Sequence, residues 1–530
     1  MATLKTLSVF ALLSVSALAP LNAFAAPVKK CDELAALPFG ADIKIESAKL
    51  VTATANLREH CDIRGVIWPE ARFTLKLPTD WNSRFQMIGN GGWAGTIGNV
   101  DGAVRDGYAA TSTDTGHDAI KEPGATFAYP GPNNPNAARK VADHGYLAVH
   151  ETALLAKKVI RAYYGADPRY SYWVGCSTGG REGLMEAQRY PEDFDGYVVG
   201  APVLFLSGLQ MKAIWNYIAV GDGPGKIATE KLPALAKGVY DKCDALDGLK
   251  DGLIENPLKC DFDPAKDLPH CSGTDARTGP SGSVVRAGSS EDTADCFTAA
   301  QVAALKKVYD GPRDSKGKQL FPGMPPGGEA FASAAGRGGV QQRSGWDGSL
   351  ANSFGLANTF MQFMAFDPAP GASWDYHSYN FDTDPQRMSA VALRIDATIP
   401  DLTAVKMRGG KIIHYHGWAD PGVSAKMSVN YYEAAMKTMG EKETKDFYRF
   451  FPVPGMFHCG GGPGCGNVDW LAAAVDWVEH GKAPEMLIGG HAEGGKTTRT
   501  RPICMYPNVA VYKGSGSIDA AENFSCAAQK

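Results

Sequence analysis

Tyr172-Trp173-Val174-Gly175-Cys176-Ser177-Thr178-Gly179-Gly180-Arg181 is an apolar run that stops at a serine set between glycines and continues into a helix-forming segment over residues 182–189. The pattern Gly-x-Ser-x-Gly predicts a serine on a sharp strand-to-helix turn. A side chain on either flank of such a turn collides with the adjoining backbone, and Gly175 and Gly179 carry none. The hydroxyl of Ser177 is thereby pushed out where a substrate can reach it. Taken without its flanks the motif is only a Gly/Ser-rich βα turn. Strand before and helix after are what make it a candidate nucleophile.

The surroundings repeat that rhythm. Upstream, Val66-Ile67-Trp68 and Phe73-Thr74-Leu75-Lys76-Leu77 alternate with period two and predict an antiparallel hairpin. Arg84-Phe85-Gln86-Met87-Ile88 is a short strand that runs into Gly89-Asn90-Gly91-Gly92-Trp93-Ala94-Gly95, a loop rich enough in glycine to aim bare backbone N–H groups. With an elbow serine, one donor to a developing oxyanion comes from the residue after the serine and another from a glycine loop after an early strand. Thr178 and Gly92, or its neighbour Gly91, are the candidates. Further strands are expected at 108–114 and 197–202, with a helix at 146–156, so the order is strand, loop, helix, strand, elbow, helix, strand.

From about 204 to 399 that rhythm stops. A helical stretch at 229–240 precedes a segment dense in glycine, proline and serine between Cys271 and Trp346, then an aromatic-rich segment. An insertion this long between strands of one sheet predicts a lid or specificity domain. Trp346, Phe354, Phe360, Phe363, Phe366, Trp374 and Tyr376 could line a flat pocket there, although for each one alone core packing is the simpler reading. The βα pattern resumes with the strand at 410–417, which leads to Trp418-Ala419-Asp420, and with Phe447-Tyr448-Arg449-Phe450-Phe451, a strand expected to end at Pro452. The loop Val453-Pro454-Gly455-Met456-Phe457-His458-Cys459 follows, then a last amphipathic helix at 468–478. The expected fold class is α/β, an α/β-hydrolase core over 26–203 and 400–530 interrupted by a lid domain over 204–399.

Composition bounds the function. The 530-residue chain is 44% hydrophobic and 21% charged, ordinary for a globular protein, and its net charge of −4 gives no reason to expect nucleic acid or an anionic membrane as partner. A small molecule is the expected partner. Residues 1–25 look like a signal peptide: Lys5 precedes an apolar run over 7–21, and Ala23-Phe24-Ala25 offers a small-x-small cleavage site. The run is short for a bilayer and Pro20 interrupts it, which argues against an anchor. A periplasmic or secreted location makes most of the eleven cysteines candidates for disulfides rather than metal ligands.

Nucleophilic catalysis by serine needs a base for its proton and an acid to orient that base, and on this fold they follow in the chain order Ser, Asp, His. Ser177, Asp420 and His458 satisfy the order, with both later residues just past expected strands. Asp396 and Asp401 are rival acids. His414 and His416 lie within a strand and read as packed side chains, while His480 and His491 lack a loop of this kind. Cys176 precedes the serine and Cys459 follows the histidine. If Ser177 and His458 meet, their neighbours are close enough to be bridged.

These residues carry a resemblance. Gly175-Cys176-Ser177-Thr178-Gly179-Gly180-Arg181, the run from Glu186-Ala187-Gln188-Arg189-Tyr190-Pro191 to Gly200-Ala201-Pro202, His416-Gly417-Trp418-Ala419-Asp420 and His458-Cys459 resemble the tannase and feruloyl esterase family, which includes mono(2-hydroxyethyl) terephthalate hydrolases. The resemblance covers essentially the whole mature chain. It implies an α/β-hydrolase core, a large lid, a bridge linking the triad, and the pairs Cys31–Cys61, Cys243–Cys260, Cys271–Cys296 and Cys504–Cys526. Cys465 is left over.

The lid holds a further chemical signal. Cys243-Asp244-Ala245-Leu246-Asp247-Gly248-Leu249-Lys250-Asp251-Gly252-Leu253 crowds three carboxylates into a glycine-turned loop, a hard-oxygen set that suits calcium, although the spacing is not that of an EF-hand and two surface Asp-Gly turns would look similar. The resemblance implies a structural calcium on Asp244, Asp247 and Asp251 with the carbonyls of Leu249 and Leu253.

The expected function is a serine esterase acting on small aromatic esters, feruloyl esters first, with gallate esters and the terephthalate monoester as alternatives. A terephthalate monoester carries a carboxylate that favours an arginine clamp, and residues 344–376 contain no arginine. A ligand-binding protein on an inactive hydrolase scaffold is the alternative from another class, and a peptidase on the same fold is a further one.

Overall fold

Nine strands build one sheet in the order β1-β2-β3-β5-β4-β6-β7-β8-β9. They are β1 (Ile43–Val51), β2 (His60–Ile67), β3 (Ala71–Pro78), β4 (Arg84–Ile88), β5 (Ala109–Thr113), β6 (Tyr170–Cys176), β7 (Gly196–Gly200), β8 (Lys411–Gly417) and β9 (Tyr448–Val453). The computed structural model describes residues 26–271, 293–329 and 352–529. The expected signal peptide over 1–25, Trp346 and much of the glycine- and serine-rich stretch lie outside the described residues.

Composition explains which strands sit where. The strands from β5 to β9 pair in parallel, whereas β1, β2, β3 and β5 pair antiparallel. Parallel strands are covered on both faces and so need side chains that tolerate complete burial. Every residue of Ala109–Thr113, Gly196–Gly200 and Tyr448–Val453 is buried. β1 instead alternates between partly buried and exposed positions, as an outer strand facing water on one side does.

Pro452 does not end its strand, contrary to the sequence expectation. It pairs with His416 and the strand continues to Val453. β9 is the outermost strand of its edge, where a residue with no N–H removes no ladder bond that a neighbour needs. β1 and two C-terminal hairpins, Met486–Glu493 with Lys496–Cys504 and Val509–Tyr512 with Phe524–Ala527, are elements that the sequence reading did not identify. The helix expected at 146–156 is longer: Ala137–Ala142 and Ala148–Tyr164 are joined by a π turn over Asp143–Leu147.

Residues between β7 and β8 form the inserted region. Its first helix, Leu206–Val220, buries Leu206, Leu209 and Ile214 in the main core together with Phe360 and Met361 of the helix Asn352–Phe363. A second core of Val220, Ile227, Leu232, Leu235, Phe297, Leu305 and Val308 belongs to the insertion itself. Five disulfides close the described chain, Cys31–Cys61, Cys176–Cys459, Cys243–Cys260, Cys271–Cys296 and Cys504–Cys526, and Cys465 is a buried free thiol. Among the described residues no helix is long and apolar enough to cross a membrane.

Candidate active site

Carboxyl ends of neighbouring parallel strands converge on one edge of the sheet, and the loops after β6, β8 and β9 deliver Ser177, Asp420 and His458 there. Ser177 has φ 62° and ψ −120°, a conformation that L-residues rarely adopt, held between the end of β6 and the helix Thr178–Arg189. A Cβ on Gly175 would sit 2.4 Å from the carbonyl oxygen of Gly179, so that glycine is obligatory. Gly180 is equally demanding, since its Cβ would lie 2.4 Å from the Gly200 oxygen, whereas one on Gly179 would still stand 3.1 Å from its neighbours.

The three side chains meet. Nε2 of His458 lies 2.8 Å from Oγ of Ser177, and Nδ1 of His458 lies 2.6 Å from Oδ2 of Asp420. Asp420 is buried, and its Oδ1 accepts the backbone N–H groups of Gly422 at 2.9 Å and Val423 at 2.8 Å. Burial by itself opposes the Asp420 charge, but His458 and His416 outweigh it and hold the carboxyl well below its usual range. Burial likewise pulls His458 down, and the Asp420 charge and hydrogen bond overcome it, so the imidazole titrates above its ordinary value.

The rival acids are elsewhere: Asp396 accepts the N–H and hydroxyl of Ser207, and Asp401 accepts the N–H of Thr403. His480 pairs with Asp476 on the surface and His491 reaches the Gly464 carbonyl. His414 and His416 are fully buried, as expected, but they are not merely packed: Nε2 of His416 is 3.3 Å from Oδ2 of Asp420.

Two ties fix the loops around the serine. The Cys176–Cys459 bridge spans a Cα–Cα distance of 5.9 Å and joins the residue before the serine to the residue after the histidine. On the other side, the Thr178 hydroxyl donates to the Gly92 carbonyl at 2.5 Å, and the Gly179 N–H donates to Asn90 at 2.8 Å. Asn90 is in turn held by the buried carboxylate of Glu182, which accepts its N–H at 3.0 Å. The glycine loop and the residue after the serine therefore lie side by side, with Gly91, Gly92 and Thr178 all on the cavity wall.

The cavity, about 440 Å³, is lined by Trp93, Val203, Leu206, Leu209, Gln210, Ala213, Leu356 and the 421–423 loop around Ser177 and His458. Among the described lining residues, His458 has the only ionisable side chain. Among the described residues, the lid aromatics singled out in the sequence do not line it. Phe360 stacks against the back of Trp93, Phe354 stacks on Tyr217 with Tyr376 at its edge, and Trp374 packs against the main core. Phe363 and Phe366 border a separate hollow. Leu206, Leu209 and Ala213 of the lid's first helix form the apolar wall instead, because that helix is packed between core and cavity.

Three supporting residues escaped the sequence reading. Arg181 is fully buried and donates to the carbonyls of His144 and Gly145 in the π turn and to that of Ile395 at the end of the helix Ser389–Ile395. Glu182 was visible only as a helix former. Lys212, on the lid helix, is buried with Nζ 2.7 Å from the Gly422 carbonyl, and burial pushes it down to about 8. That Lys212 is the one charged residue of a largely apolar helix is the signal that marked it.

In the aspartate loop, Asp244 accepts the N–H groups of Asp251 and Gly252, Asp247 that of Leu249, and Asp251 that of Leu253. Burial raises Asp244 and Asp247, and the Asp251 charge raises both further. Arg501 meets Asp251 at 2.5 Å. Buried Glu255, next to the loop, is pushed up to about 8, first by burial and then by Asp247 and Asp251. A crowd of oxygen donors under mutual repulsion fits a hard divalent cation.

Comparison with known proteins identifies the family. The family model described as tannase and feruloyl esterase matches residues 55–527. The chain is 33% identical to a mono(2-hydroxyethyl) terephthalate hydrolase of Piscinibacter sakaiensis, over 91% of this chain and 87% of that protein. It is 29% identical to feruloyl esterase B of Aspergillus niger, over 87% of this chain and 84% of that one. Among solved structures, feruloyl esterase B from Aspergillus oryzae superposes with a TM-score of 0.78 at 27% identity, covering 92% of this chain and 97% of the other. With that match over most of its length and an α/β-hydrolase fold in common, the chain belongs to the tannase and feruloyl esterase family and is a carboxylic ester hydrolase.

Proposed function

We propose that the protein is an exported serine esterase that hydrolyses esters of aromatic carboxylic acids, with feruloyl esters as the preferred class. The observation that carries the reading is the apolar cavity beside Ser177, whose described lining offers Trp93 as a flat wall, Gln210 as a polar group and no cation. A planar, uncharged aromatic acyl group suits such a wall. Among the described lining residues a free carboxylate on the acyl group would find no cationic partner, which disfavours a terephthalate monoester.

In this reading Ser177 Oγ attacks the ester carbonyl while Nε2 of His458 takes its proton. The N–H groups of Thr178 and Gly92 receive the charge on the carbonyl oxygen. His458, oriented by Asp420, then protonates the departing alcohol, and water admitted to the same site releases the acid by the reverse sequence. Five disulfides support an oxidising compartment, periplasmic or extracellular. Asp244, Asp247 and Asp251, with the carbonyls of Leu249 and Leu253, would hold a structural calcium in the lid. Such an ion supplies charge neutralisation to that loop and no chemistry to the ester.

A substrate panel tests the proposal. Methyl ferulate should be turned over with kcat/KM at least about tenfold above that for methyl gallate or the terephthalate monoester, the margin that one unpaired buried polar group imposes. Preference for either rival would reassign the substrate, and absence of a p-nitrophenol burst from an activated ester would favour a binding protein.

A further inference from the structure

Behind the triad, buried polar side chains continue in an unbroken line. Nε2 of His416 lies 3.0 Å from the Val423 carbonyl and 3.3 Å from Oδ2 of Asp420, the same oxygen that His458 contacts. Its Nδ1 is 2.7 Å from Oγ of Ser428. That oxygen is 2.9 Å from Nε2 of His414, whose Nδ1 is 2.7 Å from the Tyr448 hydroxyl. His414, His416, Ser428 and Tyr448 are all fully buried.

One group dictates every proton in this line. The Val423 carbonyl can only accept, so His416 carries a proton on Nε2, and in the neutral ring this leaves Nδ1 as an acceptor. Ser428 must therefore donate to Nδ1 of His416 and accept from Nε2 of His414. His414 is then an acceptor at Nδ1, and Tyr448 donates to it. Burial holds His414 well below, and Tyr448 well above, their ordinary values, so neither takes on charge near neutrality. All the N–H and O–H dipoles point the same way, toward Asp420. Lys212, through Nζ on the Gly422 carbonyl, is the other charged group facing this acid, and it comes from the lid side.

We propose that His416 is a positioning residue of the active site, locked by the Ser428–His414–Tyr448 line as an Nε2–H donor that fixes the Asp420 carboxylate and shares its charge with His458. Two donors on one oxygen hold the carboxylate in the rotamer that faces His458. Sharing also moderates the pull of Asp420 on the imidazole, so the base remains neutral at a lower pH than an undivided carboxylate would permit. This rests on Ser177, His458 and Asp420 being the catalytic groups, which inactivity of Ser177→Ala tests independently.

Three measurements decide it. In native protein with labelled histidines, nitrogen NMR at neutral pH should show His416 and His414 as Nε2–H tautomers. His416→Phe, which can neither donate nor accept, should lose about tenfold in kcat with little change in KM, and its acid limb of kcat/KM should move up by about half a pH unit. His416→Gln, whose amide can still donate toward Asp420, should recover most of that loss. Should His416→Phe not fold, Ser428→Ala takes its place, and there His416 should lose its single tautomer and kcat should fall. An Nδ1–H His416, a wild-type acid limb and kcat in His416→Phe or Ser428→Ala, or equal defects in the Gln and Phe variants with inactive Ser177→Ala, would each overturn the proposal while leaving the esterase reading intact.

Discussion

Cys176 and Cys459, 283 positions apart in sequence, are joined so that the residue before the nucleophile and the residue after the base share one covalent link. Ser177 is already fixed by its strand-to-helix turn. His458 follows β9 on a loop in which Cys459 and the three glycines after it all have positive φ, a backbone able to drift if released. The bridge converts that loop into part of the elbow.

Replacing both cysteines with alanine is therefore expected to lower kcat more than it alters the fold. A displacement of about 1 Å at the base costs on the order of a hundredfold in rate. The chain-entropy model also assigns the bridge about 5 kcal/mol, an upper figure because native strain offsets part of it. Non-reducing peptide maps, circular dichroism and kinetics of the double variant check this. Wild-type kcat in that variant would show that other contacts hold the histidine.

Ser177→Ala and His458→Ala should each lower kcat by at least about four orders of magnitude with the protein still folded, and Asp420→Asn should leave a somewhat larger residue of activity. Because the Asp420 charge holds His458 above its ordinary value, the acid limb of kcat/KM should lie above about pH 6.5. Stopped assays on ferulate esters across the pH range give both numbers. An acid limb well below that point would remove Asp420 from its role.

Chelation should act on stability before activity. A calcium ion bound only by the folded lid adds roughly 4 kcal/mol at a thousandfold excess over its Kd, so EDTA should lower Tm by a few degrees and leave kcat unchanged well below that temperature. Elemental analysis of protein purified without chelator should find one calcium per chain. An unchanged melting curve together with no bound calcium rejects the site.

His117 should make the protein sensitive to acid. Its ring is buried, stacked on Phe127 at 4.0 Å and close to His144, and burial pushes it down to about 4. Below about pH 6.5 the unfolded chain binds a proton that the fold refuses, so the stability fully present above that pH is lost as pH falls toward 4. The shift amounts to up to about 3 kcal/mol. His117→Phe, which keeps the stack, should lose fewer degrees of Tm between about pH 7 and pH 4.5 than the native chain. Equal losses in both would assign the acid sensitivity to other groups.

The elbow, the strand order leading to it and the triad order were legible in the sequence because each rests on short-range chemistry. Any side chain in place of Gly175 would collide with the Gly179 backbone at the turn of Ser177, and apolar strands such as β7 announce burial by composition alone. The cysteine pair was legible for the same reason, as neighbours of residues that must touch. What encloses the substrate was decided only in three dimensions. The lid's aromatics carry no mark that separates packing from lining, and Phe360 supports Trp93 from behind while Leu206 and Leu209 face the cavity. Pro452 extends its strand because β9 is an edge, a fact about its neighbours rather than about proline. His416 became a partner of Asp420 through the pairing of β8 and the turn that follows it, which place Nε2 of one within 3.3 Å of the other. Local sterics are written in neighbouring residues, whereas the sharing of one carboxylate by two histidines depends on distances that only the packed sheet sets.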